Sequence, residues 1–363
     1  MRILGIETSC DETAAAVVED GARLLSNVIH SQIDIHTQYG GVVPEVAARS
    51  HIEVINPVIQ RALDDADCTW DDIDAIAVTY APGLIGSLLV GTLAARTLAI
   101  LKNKPLYPIH HVEAHVYANF INDQAPRLQL TLPSSQPTFP MLALIVSGGH
   151  SQLVLFHDHG NFELLGQTQD DAVGEAFDKV AKILGLPYPG GPSIAKAAEQ
   201  GDPLTYKLPK SKMNNKYDFS FSGLKTAVLR AVQREVGVET TFPSSQLSGL
   251  LNDVQRANFA ASFQHIAVET LVDTAQRAFR DYSPASVVIA GGVAANSELR
   301  RQLSARLPLV IEYAPLSLCT DNAAMIASLG YFYAQKMPAT LPLDVTVAPS
   351  LSMLETAWNL SSS

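Results

Sequence analysis

Cysteine is scarce in this 363-residue chain: Cys10, Cys68 and Cys319 stand far apart and never in a CxxC spacing. An odd, dispersed set excludes a disulfide scaffold and argues against a zinc ribbon. It fits a reducing compartment, so a cytoplasmic location is expected. Basic charge is also in short supply, with 25 Lys and Arg against 36 Asp and Glu and a formal net charge of −11. That balance repels polyanions and speaks against a nucleic-acid binder working by overall charge. Long apolar runs are nearly missing. The one membrane-like stretch, Leu84 to Leu101, contains Arg96 and several small residues and reads as a buried helix. The opening MRILGIETS enters a strand with no separate basic and apolar leader, so neither a signal peptide nor a membrane association is expected.

What remains is the composition of a globular protein, 47% hydrophobic and 17% charged. The length suits two domains, or one large domain with two lobes. Charge is unevenly spread. Between Lys179 and Arg230, Lys179, Lys182, Lys196, Lys207, Lys210, Lys212, Lys216, Lys225 and Arg230 face only Glu199, Asp202 and Asp218. Such a stretch is either a set of solvated lysines or a patch for an anionic partner.

The pattern is α/β. ILGIETSCDETAAAVV reads as two strands around a hydroxyl-rich turn, and LALIVSGGHSQLVLF, Leu142 to Phe156, repeats that design. Two such hairpins, each followed by α/β material, predict an internally duplicated, two-lobed protein with a cleft between the lobes. A strand at Ala75 to Thr79, the helix Leu84 to Leu101 and a strand at Leu106 to Ile109 form a βαβ unit. The proline-rich, polar stretch 122–140 predicts a linker, between a first lobe over 1–121, completed by about 321–363, and a second over 141–320. A polar insert around Thr240 to Gly249 predicts a surface loop, and SVVIAGGVAANSELRRQL predicts strand, glycine turn and helix, with Asn296 near the helix start.

HHVEAH is the sharpest local signal. His111 and His115 stand four apart and share one helical face at metal-ligand reach; two hydrogen-bonded or packed histidines are the alternative. HExxH metallopeptidases use the same spacing, but here the acid is Glu113, about 200° round the helix from His111, and points away from a metal held by the pair. Asp321, at the apparent start of an alanine-rich helix, is the best third ligand, with an N-cap as its alternative. Two imidazoles and a carboxylate with open positions suit Fe(II) or Zn(II) acting as a Lewis acid.

Three hydroxyl- and glycine-rich turns offer N–H groups to anions: Thr8 and Ser9; Ser147, Gly148 and Gly149; and Gly291 with Gly292. None matches a Walker A or GxGxxG pattern, and each is otherwise simply a turn. Asp11 and Glu12 follow the first turn, Asp178 lies where a helical carboxylate can reach a ribose hydroxyl, and YPGGPS is a turn whose Gly191 can lie flat against a ring or sugar.

In order, GIETSCDET, YGGVVPE, APGLIGSLLVG, HHVEAH, VSGGH, GEAFDK, YPGGP, DFSFSGLKT, AGGVAAN and CTDNAAMIA closely resemble the universal tRNA adenosine threonylcarbamoyltransferase family, whose bacterial member was once misnamed an O-sialoglycoprotein endopeptidase. The resemblance runs from Met1 to about Gly330. It implies an actin/hexokinase-like (ribonuclease H-like) fold with nucleotide between the lobes. The implied reaction moves a threonylcarbamoyl group from threonylcarbamoyl-AMP to N6 of the adenosine 3′ to the anticodon, in tRNAs reading codons that begin with A. By matching positions, His111, His115 and Asp321 hold one divalent metal, Fe(II) favoured over Zn(II), and Ile145, Val146, Ser147, Gly148, Gly149, Asp178, Gly191 and Asn296 bind the adenylate. Thr8 and Ser9 are added as nucleotide contacts, Glu12, or else Asp11, as the proton-handling group, and Lys207, Lys210, Lys212, Lys216 and Lys225 as tRNA contacts. Implied partners are an inactive paralogous subunit and a small ATPase, so the chain alone is expected to be nearly inactive. A sugar kinase-like phosphotransferase is the rival of the same fold, and HHVEAH counts against it; a nucleotide-binding scaffold is the non-enzymatic rival.

Overall fold

In the computed structural model, which describes residues 1–356, the chain divides into two compact units. Unit 1 comprises residues 1–139, 156–163 and the chain from Glu312 onward; unit 2 comprises 140–155 and 164–311. Of the expected lobe completion at 321–363, residues 357–363 lie outside the described residues.

Unit 1 begins with β1 (Arg2–Glu7), β2 (Glu12–Glu19) and β3 (Arg23–Ser31). The first two are apolar almost without interruption and buried along both faces, as strands in the middle of a sheet must be. They pair antiparallel with Glu7 opposite Ala14, and β3 continues the meander. After α1 (Ile33–Thr37) and α2 (Pro44–Asp65) come β4 (Ala75–Ala81), α3 (Ile85–Lys102) and β5 (Leu106–His110), the expected βαβ unit, with β4 parallel to both β1 and β5. Next follow α4 (His111–Tyr117) and the two-residue β6 (Asp123–Gln124), giving the sheet order β5-β4-β1-β2-β3-β6. Leu4, Ile6, Ile59, Leu63, Ile76 and Val78 form the core beneath α2 and α3.

Unit 2 repeats the plan. β7 (Met141–Val146), β8 (Ser151–Asp158), β9 (Asn161–Gln167) and β10 (Ser286–Ala290), less the 156–163 tip of the β8–β9 hairpin that belongs to unit 1, are ordered β10-β7-β8-β9, the counterpart of β4-β1-β2-β3, with β10 parallel to β7. Its helices are α5 (Val173–Leu184), α6 (Gly190–Ala198), α7 (Ser222–Glu235), α8 (Ser244–Leu247), the 30-residue α9 (Asp253–Tyr282) and α10 (Ser297–Arg306). The chain then returns to unit 1 with α11 (Leu316–Cys319) and α12 (Ala323–Lys336). The expected two-lobed α/β architecture of the actin/hexokinase kind is the one observed.

Several local expectations need correction. α3 is not a buried helix: Ser87, Leu88, Gly91, Ala95 and Ala99 face the protein, while Ile85, Leu89, Leu93, Ile100 and Leu101 form an exposed stripe, Leu101 being 71% exposed. Its average hydropathy hid a two-sided helix. α3 is the one helix among the described residues long and apolar enough to cross a membrane, and its inner face packs on β4 and α2.

The stretch 122–140 is not a free linker either. Asp123 and Gln124 extend the sheet beside β3, and the Ser134 amide donates to the Glu312 carboxylate at 2.8 Å. The unit boundaries fall at 139/140, 155/156, 163/164 and 311/312. The loop expected near Thr240 contains α8, anchored by the buried Leu247. The YPGGPS turn opens α6, because Gly190 lets the helix start against α5, where a Cβ would lie 2.5 Å from the Asp178 Cα.

Candidate metal centre and glycine-lined face

Small residues bring Asp321 to the histidines. A Cβ on Gly5 in β1 would lie 2.3 Å from the Ala323 carbonyl, and one on Gly330 would lie 2.6 Å from the Ala77 Cβ. The Ala-Gly face of α12 therefore sits directly on β1 and β4, and its N-terminus ends beside α4. The N-cap reading of Asp321 falls here. Asn322 is the cap, accepting the Met325 N–H at 3.1 Å, which leaves the Asp321 carboxylate free of capping.

Asp321 Oδ1 lies 3.5 Å from His111 Nε2 and 3.3 Å from His115 Nε2, and the three candidate ligand atoms are all within 4.8 Å of one another. The imidazole rings meet edge to face with centroids 4.6 Å apart. Both histidines are buried, and among the described residues neither His115 ring nitrogen has a well-aligned hydrogen-bond partner, although Asp321 is near. A buried imidazole with two unsatisfied nitrogens beside a carboxylate is the condition a bound cation relieves. The donor set thus fits a divalent metal.

Electrostatics divide the pair: His115 is held neutral, while His111 holds a proton that a bound cation would displace. Burial pushes the His115 pKa down, keeping it neutral and able to ligate. Burial also opposes charge on His111, but Asp321 and Glu7 on either side carry its pKa well above the ordinary imidazole value. For Asp321, burial would raise the carboxyl, and the two imidazoles outweigh it and hold the group below the usual carboxylate range. Glu113 faces elsewhere. It accepts the Tyr333 hydroxyl at 3.2 Å, and burial pushes it up to about 8, so it serves no peptidase-like role at the pair.

Glu7, which the sequence reading passed over, belongs to this site. It is fully buried at the end of β1 with an oxygen 3.1 Å from His111 Nδ1. A carboxylate ending an otherwise apolar buried strand was the available signal. Ser9, expected to cradle phosphate, donates its amide to Glu7 and holds its hydroxyl 3.2 Å from the same His111 nitrogen, while the Thr8 hydroxyl donates to the Ser87 carbonyl at 2.8 Å. In the turn itself, Glu12 opens β2 and receives the Ser31 hydroxyl at 3.3 Å. Burial, then the negative charges of Asp321 and Asp11, push Glu12 up to about 10. Asp11 is 8% exposed.

Unit 2 carries a separate candidate surface where β7 and β10 end. The Ser147 carbonyl receives the Gly174 amide at 3.2 Å, and a Cβ on Gly174 would lie 2.8 Å from the Gly148 Cα, so α5 begins directly on the turn. Gly291 has φ +89°, and a Cβ there would lie 2.5 Å from the Val146 carbonyl. By contrast, Gly148, Gly149, Gly191 and Gly292 would each carry a Cβ into open space. Ile145 and Val146 are fully buried and can meet a ligand only through backbone. Asp178 accepts the Gly190 amide at 2.7 Å; Asn296 caps α10 through the Leu299 N–H at 3.0 Å and donates to Gln264 at 2.9 Å.

The basic segment is partly neutralised. Lys210 pairs with Glu269 and Asp273, each at 2.7 Å, and Lys216 pairs with Asp281 at 2.7 Å, all carboxylates of α9. Sequence counting missed them because they lie far along the chain. Lys210, Lys212, Lys216 and Arg277 line a hollow of about 430 Å³ that also contains Asp218 and Asp273.

Comparisons with known proteins identify the family. A family model described as TsaD: tRNA N6-adenosine threonylcarbamoyltransferase matches residues 23–328. The tRNA N6-adenosine threonylcarbamoyltransferase of Thermomicrobium roseum is 52% identical over 357 residues, covering 95% of each chain. That of Symbiobacterium thermophilum is 49% identical over 354 residues, covering 97% of this chain and 96% of the other. Among solved structures, full-length HypF in the phosphate- and nucleotide-bound form shares the fold with a TM-score of 0.55 at 13% identity, over 93% of this chain and 47% of that one.

Proposed function

The chain belongs to the tRNA N6-adenosine threonylcarbamoyltransferase family, and from that membership we infer what it does. It forms threonylcarbamoyladenosine in tRNA, moving the threonylcarbamoyl group from threonylcarbamoyl-AMP to the N6 amine of the adenosine 3′ to the anticodon in tRNAs reading codons that begin with A. The observation that carries the reading is the convergence of His111, His115 and Asp321, from two distant parts of the chain, on one point in unit 1.

These three residues would hold one divalent metal, Fe(II) by preference and Zn(II) otherwise. When bound, it supplies Lewis-acid neutralisation of the negative charge that develops on the donor. In the transfer, N6 attacks the carbamoyl carbon, the bond from that carbon to the phosphate oxygen breaks, AMP leaves, and the amine gives up a proton. Glu12 is the group we assign to that proton. Burial is the first cause that raises its pKa, and the charges of Asp321 and Asp11 follow; a neutralised Asp321 would remove one of them and bring the carboxyl toward the range in which it accepts a proton at neutral pH.

Unit 2 would take the adenylate on its open glycines. Gly148 and Gly149 leave backbone N–H groups accessible to phosphate, Gly191 leaves room for a flat group, and Asp178 and Asn296 offer polar contacts. Orientation of a poorly nucleophilic aromatic amine is the larger part of such catalysis, since positioning alone is worth up to about 7–11 kcal/mol.

For partners, we propose tRNA, an inactive paralogous subunit and a small ATPase, and for compartment the cytoplasm, in keeping with three free cysteines. The exposed stripe of α3 supports a protein partner on unit 1, and we assign it to the paralogous subunit. Purified chain, tRNA and threonylcarbamoyl-AMP, assayed with and without the two partner proteins, test the whole reading. Product is expected only with partners, and full activity of the chain alone would remove them from the account.

A further inference from the structure

His111 and His115 look equivalent in sequence, but their surroundings differ. The outer nitrogen of His111, Nδ1, lies 3.1 Å from Glu7 Oε2 and 3.2 Å from Ser9 Oγ. Among the described residues, His115 Nδ1 has no hydrogen-bond partner. Glu7 is itself held: the Ser9 amide donates to Oε1 at 2.5 Å, and the Thr79 hydroxyl of β4 donates to Oε2. A carboxylate that already receives two donors and is closed off from water presents only lone pairs to its third neighbour. The proton between Glu7 and His111 therefore sits on Nδ1, so that Nε2, the nitrogen facing Asp321, is the one that ligates once a cation takes the place of its proton.

We infer that Glu7 is a positioning residue for the metal centre: through Thr79 and Ser9 it is fixed as the acceptor that sets the tautomer and orientation of His111, so that His111 is the stronger ligand and His115 the weaker. The inference rests on the metal reading above and deepens it. Nothing in GIETS alone distinguishes this role from that of a buried ion pair; the bonds to Thr79 and Ser9, on separate segments, do.

The test is Zn²⁺ binding by the full-length protein, measured by competition with a chromogenic chelator. Wild type is expected to bind, Glu7→Gln to bind about 10- to 100-fold more weakly, and Thr79→Val to show a smaller loss in the same direction. Wild type that does not bind Zn²⁺ overturns the metal reading itself. Wild type that binds while Glu7→Gln binds equally well overturns only the role of Glu7. Should Glu7→Gln not fold, ¹⁵N NMR of Zn²⁺-loaded wild type decides: His111 is expected to carry its proton on Nδ1 and the metal on Nε2, and the reverse assignment overturns the inference.

Discussion

Asp321 reaches His115, Oδ1 to Nε2 at 3.3 Å, because its neighbour Asn322 does the capping of α12. The two residues divide between them what either could do: one satisfies the helix terminus and the other meets the imidazoles. Asp321→Asn is therefore expected to lower metal affinity by at least about 10-fold through loss of an anionic ligand. Asn322→Ala is expected to cost about 1 kcal/mol in stability and much less in affinity. Chemical denaturation beside chelator competition separates the two, and identical profiles would contradict the division.

Close approach of α12 to β1 makes a second prediction. In Gly5→Ala the new methyl would meet the Ala323 carbonyl at 2.3 Å, which is backbone and cannot turn aside. Overpacking of this kind costs about 1–3 kcal/mol, and the displacement is felt at Asp321, two residues before Ala323. Reduced stability together with weakened Zn²⁺ binding is expected. Gly148→Ala, whose Cβ enters open space, should leave both unchanged while weakening the binding of adenosine monophosphate.

The aromatic cluster of unit 1 contains a pH-sensitive member. His159 stacks on Phe332 with centroids 3.9 Å apart, and burial, aided by Lys336 against the pull of Asp158, lowers its pKa to about 4. The ordinary imidazole value is 6.5. Above it the residue is neutral whether folded or not and adds no pH dependence. Between 6.5 and 4 the unfolded chain takes up a proton that the folded one refuses, so stability falls as pH falls through this window. With partial exposure the loss is discounted to about 1–2 kcal/mol. His159→Phe is expected to flatten that part of the stability profile relative to wild type; an unchanged slope would mean other groups carry it.

Lysines differ in what they have left to offer tRNA. Lys210 and Lys216 already face α9 carboxylates, whereas Lys212 and Lys225 are in no ion pair among the described residues. Lys212→Glu and Lys225→Glu are expected to weaken tRNA binding several-fold and to reduce the slope of log K against log salt by about 1 each. The same change at Lys216 should do less. Filter binding at several salt concentrations reads the difference, and a larger effect at Lys216 would contradict it.

On the outer side of α3, Leu89 and Leu93 are 42% and 53% exposed and one turn apart. Leu89→Glu with Leu93→Glu is expected to abolish co-purification with the paralogous subunit without loss of metal binding. Retained co-purification would move that interface elsewhere.

Much of this was legible in the sequence because it is local. The hairpin around IETSCDET and its repeat around VSGGH are period and turn chemistry, and the four-residue spacing of His111 and His115 is helix geometry. What could not be read depends on partners distant in the chain. Asp321 was expected as a ligand, but its release from capping by Asn322 required the helix start to be seen. Glu7 has its meaning from Thr79 and His111, 72 and 104 residues away. The basic segment looked more cationic than it is, since Glu269, Asp273 and Asp281 reach it from α9. The two faces of α3 were averaged into one apolar helix.

The central claim is that His111, His115 and Asp321 bind a metal needed for the transfer. Its most direct test is mass analysis of tRNA nucleosides after reconstitution with both partner proteins and threonylcarbamoyl-AMP, using wild type beside His111→Ala. Threonylcarbamoyladenosine is expected with wild type and nearly none with His111→Ala, while both remain folded. Equal modification by the two would contradict the account.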